Sequence, residues 1–209
     1  MLRLPSRPSG RQQSRGPCKQ SCAAVADEFS DRVRSNRPNE ISIGQELGMA
    51  ESPAVETRTD QLYVAIPVRV RMDELGSVVP PLTGQVFDWL ATRGIKPAGP
   101  PFWRYLVVDM DAELELETGV AIASRTEGDG QVRTGVLPAG RYATVVHSGH
   151  PDTLVDATRN LLDWATERDV KWDADGNKWG CRLEEYLSDP AEVPDMNKWQ
   201  TRLAFRLRD

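Results

Sequence analysis

What the 209 residues lack narrows the field first. No apolar run approaches the 18 or more residues of a membrane-spanning helix, and the basic N-terminus leads into no hydrophobic stretch of the signal-peptide kind. The expected location is the cytoplasm. Cysteine is scarce: Cys18, Cys22 and Cys181 are an odd, sparse set that argues against a disulfide framework. Histidine is scarcer, with only His147 and His150. Their H-x-x-H spacing lacks a third ligand, and Cys18 and Cys22 have no partnering histidines, so no metal site is expected. A loop histidine hydrogen-bonded to backbone is the expectation instead. No glycine-rich loop is built to cradle phosphate, and "GDG" at 128–130 reads as a hairpin turn. No serine or cysteine nucleophile constellation stands out, and no cofactor is expected.

What is present begins with charge. The net charge of −5 hides an asymmetry, because residues 1–50 sum to +3 and residues 51–209 to −8. An acidic body argues against direct nucleic-acid binding by the folded part and tolerates cationic ligands. Residues 1–22 are Arg, Ser, Pro, Gly and Gln with little to bury, which predicts a poorly ordered extension over 1–50. Within it, Val25, Phe29 and Val33 allow a short helix, and Arg3, Arg7, Arg11, Arg15 and Lys19 read as a solvated tail. Met49 opens the body and is a candidate start of natural synthesis.

From residue 51 to 209 the pattern is ordered. "QLYVAIPVRVRM" is strand-like; "VVPPLTGQVFDWLATRG" places Val79, Leu82, Val86 and Leu90 on one helical stripe, with Pro80 and Pro81 in its first turn and Gly94 as the stop. "PFWRYLVVDM" and "AELELETGVAIA" are further strands. The order then repeats: strand material broken at Pro138–Gly140, a helix over "PDTLVDATRNLLDWATERD", and strands at "KWGCRLEEYL" and "WQTRLAFRLRD". The helices also match in letters at an offset of 75: Asp88 and Asp163, Trp89 and Trp164, Arg93 and Arg168, Lys96 and Lys171. Trp89 and Trp164 are assigned to packing. The fold class is therefore α+β, a tandem repeat of two β-α-β-β modules over about 58–122 and 130–209. Antiparallel sheets with one helix each would form a central ligand cleft.

"GVLPAGRYATVVHSGHPDTL", the "WG.RLE.Y" strand and "DPAEVPDMNKWQTRLAFRL" resemble the C-terminal half of the GyrI-like small-molecule-binding family, related to effector domains of AraC-type and multidrug-sensing activators. "TRTDQLYVAIPVRVRMDEL", "PAGPPFWRYLVVDM" and "LELETGVAIA" resemble its first half, so the likeness spans about residues 56–208. The resemblance implies a pocket between the halves and a ligand-facing glutamate two residues before a tyrosine, the position of Glu184 before Tyr186. It departs at Glu185, where relatives carry an aliphatic residue.

Strand alternation puts Glu184 and Glu185 on opposite faces. Leu183 and Leu187 are expected on the helix side with Glu185, leaving Glu184 and Tyr186 toward the pocket; the plainer alternative pairs Glu184 with Arg182 as a partly exposed ion pair. A carboxylate walled by aromatics is costly to keep charged, and a lipophilic cation relieves that cost while gaining from ring faces. The candidate rings are Phe102, Trp103, Tyr105, Trp179, Tyr186 and Trp199. Two functions compete: binding or sequestration of hydrophobic, often cationic, small molecules or toxins, and hydrolysis of cyclopropane-bearing DNA-alkylating natural products. In the second, which the resemblance implies, Glu184 is acid or base and Tyr186 or Tyr105 its partner. Modulation of DNA gyrase through a protein partner is a third reading, carried by the family's name alone.

Overall fold

The computed structural model describes residues 52–209, so the expectations for the N-terminal extension lie outside the described residues. The elements run β1 (Ala54–Arg58), β2 (Gln61–Val70), α1 (Leu75–Thr92), β3 (Pro97–Val107), β4 (Leu114–Ile122), β5 (Arg133–Leu137), β6 (Gly140–Ser148), α2 (Leu154–Glu167), β7 (Ala174–Asp175), β8 (Lys178–Tyr186) and β9 (Gln200–Arg206). Short 3₁₀ turns at Pro151–Thr153 and Met196–Lys198 precede α2 and β9. Among the described residues the result is a mixed α/β fold with one curled antiparallel sheet and two helices.

The strands lie in the order β1-β6-β9-β8-β3-β4-β2-β5, with the short β7 added to β8. The segment β2-α1-β3-β4 supplies neighbours β3-β4-β2, and β6-α2-β8-β9 supplies β8-β9-β6. These halves do not keep separate sheets: β3 and β8 pair along their lengths and make one surface. Tyr63 and Ala65 of β2 share a core cluster with Leu137 and Tyr142, although β2 and β6 lie toward opposite ends of the strand order. Such contact requires the sheet to curl into a half-barrel.

One consequence corrects the turn expected at "GDG". Strands β4 and β5 both pair with β2, so residues 123–132 cross over β2 rather than close a hairpin. Asp129 in that connection accepts the indole N–H of Trp89 at 2.6 Å and pairs with Arg93, tying the loop to the end of α1.

Helix α1 buries Leu75, Val79, Thr83, Val86, Phe87 and Leu90, a stripe at helical spacing. It starts at Leu75, earlier than expected, so Pro80 and Pro81 lie in the second turn, where they donate nothing to the backbone ladder. The two helices end alike. Gly94 and Asp169 both take left-handed φ (64° and 54°), and Ile95 and Val170 return N–H bonds to Leu90 and Ala165. The guanidinium of Arg93 lies 4.1 Å from the Trp89 ring centroid, and that of Arg168 lies 4.9 Å from Trp164. The matching letters at offset 75 thus correspond to matching terminations. No helix among the described residues is long and apolar enough to cross a membrane.

Candidate functional site

Strand β8 lies between β3 and β9, and from Arg182 to Glu185 each of its side chains is the middle of a row crossing both halves. One row is Thr118, Trp103, Glu184, Leu203 and Val145; the next is Leu116, Tyr105, Arg182, Phe205 and Ala143. Leu116 and Tyr105 belong to the core beneath α1, while Leu203, Phe205 and Ala143 belong to that beneath α2. Glu184 therefore sits on the helix-bearing face, at the seam of the halves.

This reverses one expectation. Leu183 points away from the helices, into the cluster with Tyr63, Phe102, Tyr142 and Cys181, and Glu185 shares that inner face. The half-barrel has an apolar interior of its own, so an inward leucine needs no helix to cover it.

Both carboxylates are nearly out of water, at 9% exposure for Glu184 and 7% for Glu185, but their partners differ in kind. Glu185 receives Arg58 through both terminal nitrogens at 3.1 Å and Arg202 Nε at 2.7 Å. Burial by itself raises its pKa; the two guanidinium groups outweigh burial and hold it below the ordinary range. Glu184 accepts the Tyr186 hydroxyl at 3.0 Å, with the Tyr105 hydroxyl directed at the same carboxyl. Here burial dominates and raises its pKa, against the opposing pull of Arg182 and the two phenols. Both phenols are pushed well above their usual range by burial and by the Glu184 charge.

Trp103 stands edge-on to Tyr186, with ring centroids 5.1 Å apart, and its indole nitrogen is 3.5 Å from Thr83 Oγ1 on α1. Thr83 and Thr118 share a hydroxyl contact of 2.5 Å beneath it. Arg182 stacks against Phe205, Trp179 and Tyr105 at 4.6, 4.9 and 5.6 Å from their centroids. Trp172 completes this cluster, 5.8 Å from Phe205.

Of the residues expected at one site, Glu184, Tyr186, Tyr105 and Trp103 come together, with Trp179 joined to them through Arg182. Phe102 does not. Its neighbour Trp103 takes the helix-bearing face, so Phe102 points inward, 2% exposed and edge-on to Tyr63. Trp199 holds the loop before β9, donating its indole N–H to the Val193 carbonyl at 2.7 Å. Phe205 and Trp172 were not anticipated. Thr201, Leu203, Phe205 and Leu207 alternate along the last strand, but only the β8–β9 pairing sets Phe205 beside Arg182.

His150 accepts the backbone N–H of Asp152, and His147 shares a hydrogen bond with Thr153 at 2.9 Å, so both fix the turn into α2. Among the described residues no group of three or more His, Cys, Asp or Glu is placed to hold a metal ion. A surface depression of about 430 Å³ lies elsewhere, at the β5 edge, lined by Leu62, Arg125, Val132 and Val136. It carries no buried titratable group and lies several strands from Glu184, so the chemistry singles out the seam.

The C-terminal domain of EcmrR shares this fold at a TM-score of 0.62 and 19% identity, over 76% of this chain and 98% of that domain. In the EcmrR–DNA complex within EcmrR-RPo the match covers only 57% of the EcmrR chain. SAV2435 bound to tetraphenylphosphonium matches at a TM-score of 0.54 and 8% identity, over 76% of this chain and 94% of that one. A hydrolase from Listeria innocua matches at 0.53 and 13%, over 77% and 94%. At these identities the likeness concerns the fold. No curated protein matches the sequence significantly. Residues 51–208 match the GyrI-like small molecule binding domain, most of the chain, and the chain therefore belongs to that family.

Proposed function

We propose that the chain binds a hydrophobic small molecule at the β3–β8 seam, with Glu184 and Tyr186 as polar anchor and Trp103, Tyr105 and Trp179 as walls. The observation that carries this reading is a buried carboxyl bonded to a phenol in a row to which both halves contribute. A group so placed weakens the fold, because ionisation is penalised without a full partner, and such a cost is retained where a ligand repays it. Trp103, Trp179 and Tyr186 are each half-buried, so part of the ring surface stays within reach of solvent. We also read the mirrored strand order and the similar helix endings as an internal duplication, which makes the seam a cleft between two related modules. The protein would act in the cytoplasm by capture or sensing, alone or through a protein partner.

The test is tryptophan fluorescence and titration calorimetry with a panel of aromatic compounds, comparing wild type, Trp103→Phe and Glu184→Gln. Binding that shifts at least about tenfold in Glu184→Gln, the loss of one charged hydrogen bond, supports the site. Equal affinity in wild type and Glu184→Gln, or no binding across the panel, refutes it.

A second reading has one observation in its favour: Glu184 is flanked by two phenols and holds its proton above the ordinary carboxyl range. Such a group can protonate a leaving atom or, once ionised, activate water. The reaction would be hydrolytic opening of a cyclopropane-bearing natural product, with Tyr186 or Tyr105 as hydrogen-bond partner. Mass-spectrometric detection of a hydrated product, absent with Glu184→Gln, supports it; stoichiometric uptake without product removes it.

A further inference from the structure

The seam already holds a cation. Arg182 lies two residues before Glu184 on the same face, and its guanidinium rests against Phe205, Trp179 and Tyr105. Two of those rings, Tyr105 and Trp179, are among the six that the sequence offers to a cationic ligand. All three centroid distances fall within about 6 Å, the reach of a cation–π contact. The box is thus occupied by the chain itself. Arg182 Nε is buried and has no hydrogen-bond acceptor among the described residues. Arginine stays protonated in proteins, so this charge cannot be shed to admit a second one.

Two consequences follow from charge and geometry. A permanent organic cation beside Glu184 would stand near Arg182 in a site with one carboxyl to neutralise both, and like charges at close range in a poorly solvated site repel strongly. An uncharged molecule meets no such repulsion, and an acceptor oxygen on it satisfies the idle Nε–H. Its aromatic part would then lie on the Trp103–Tyr186 pair, whose rings Arg182 does not use.

We propose that Arg182 selects ligands by charge at this site, excluding permanent cations and admitting uncharged aromatic molecules that carry a hydrogen-bond-accepting oxygen. The inference rests on the seam being the binding site and deepens that reading.

The experiment compares two probes of similar bulk, triphenylphosphine oxide and tetraphenylphosphonium, by calorimetry on wild type, Arg182→Met, Arg182→Lys and Glu184→Gln. Wild type is expected to favour the oxide by about tenfold or more, a modest share of the repulsion between two unit charges in a protein interior. Arg182→Met, which keeps bulk and removes charge, tightens the phosphonium at least about tenfold and weakens the oxide. Arg182→Lys keeps the charge and continues to exclude the cation. Wild type binding the phosphonium as tightly as the oxide overturns the selector role, and needs no variant to fold. If that binding also falls in Glu184→Gln, the seam remains the site and only the charge preference is wrong. If neither probe binds any of the four proteins, both the selector and the seam are refuted.

Discussion

Replacing Glu185 by glutamine removes a charge while preserving shape, and the structure predicts a large loss of stability. The carboxylate is 7% exposed and holds two arginines, Arg58 on β1 and Arg202 on β9. It therefore joins three strands across the sheet. Breaking a buried ion pair from one side costs about 3–5 kcal/mol, since the remaining charges stay partly desolvated. Arg202 retains 32% side-chain exposure and Arg58 19%, so water relieves some of that penalty. The expected loss is the lower end, about 3 kcal/mol. With a urea m-value of about 2 kcal/mol/M, the unfolding midpoint falls by roughly 1.5 M at unchanged m. Thermal unfolding drops by roughly 6–12 °C for a domain of this size. Glu184→Gln, one residue away, serves as the control. Its carboxyl is disfavoured as an ion, so losing the charge changes stability by no more than about 1 kcal/mol and in the stabilising direction at pH 8. Equal losses for the two variants, or a larger loss for Glu184→Gln, would refute the assignment of Glu185 to structure and Glu184 to function.

The pH dependence separates the same pair. Glu184 has a folded pKa above its ordinary 4.5, so the folded state binds more protons than the unfolded chain as pH rises past 4.5, and its contribution to stability is lost through the folded pKa. Glu185 has a lowered pKa, so its contribution is present above 4.5 and disappears as pH falls through the folded value. Urea midpoints at pH 4 and pH 8 should therefore narrow the wild-type deficit of Glu185→Gln in acid, and should show Glu184→Gln gaining on wild type in base. Phe102→Ala removes a ring from the inner core at a cost of about 3–5 kcal/mol, yet leaves ligand affinity of the folded protein unchanged, because Phe102 faces away from Glu184. Calorimetry below the transition checks this, and a matched fall in affinity would return Phe102 to the site. Gly119→Ala puts a Cβ 2.6 Å from the Val64 carbonyl oxygen and 2.7 Å from Ala65 Cβ, so a loss of about 1–3 kcal/mol in urea unfolding is expected. Wild-type stability would show that the strands can separate there.

Much of this protein was determined by its sequence because the relevant physics is local. Two-residue alternation marked the strands, helical spacing marked α1 and α2, and Glu184 was separated from Glu185 because neighbours on a strand cannot share a face. The offset-75 letters fall where the two helices end alike, since a helix terminus depends on a handful of adjacent residues. What alternation leaves open is which face is which. That depended on the curl of the sheet, which gives Leu183 an apolar interior opposite the helices and makes Glu185 a tie between Arg58 and Arg202, residues 127 and 17 positions away. Strand pairing likewise decided that Phe205 stacks on Arg182, and that "GDG" crosses over β2. Contacts between distant segments arise from how edges join and curve, a property of the whole sheet that no window of neighbouring residues contains.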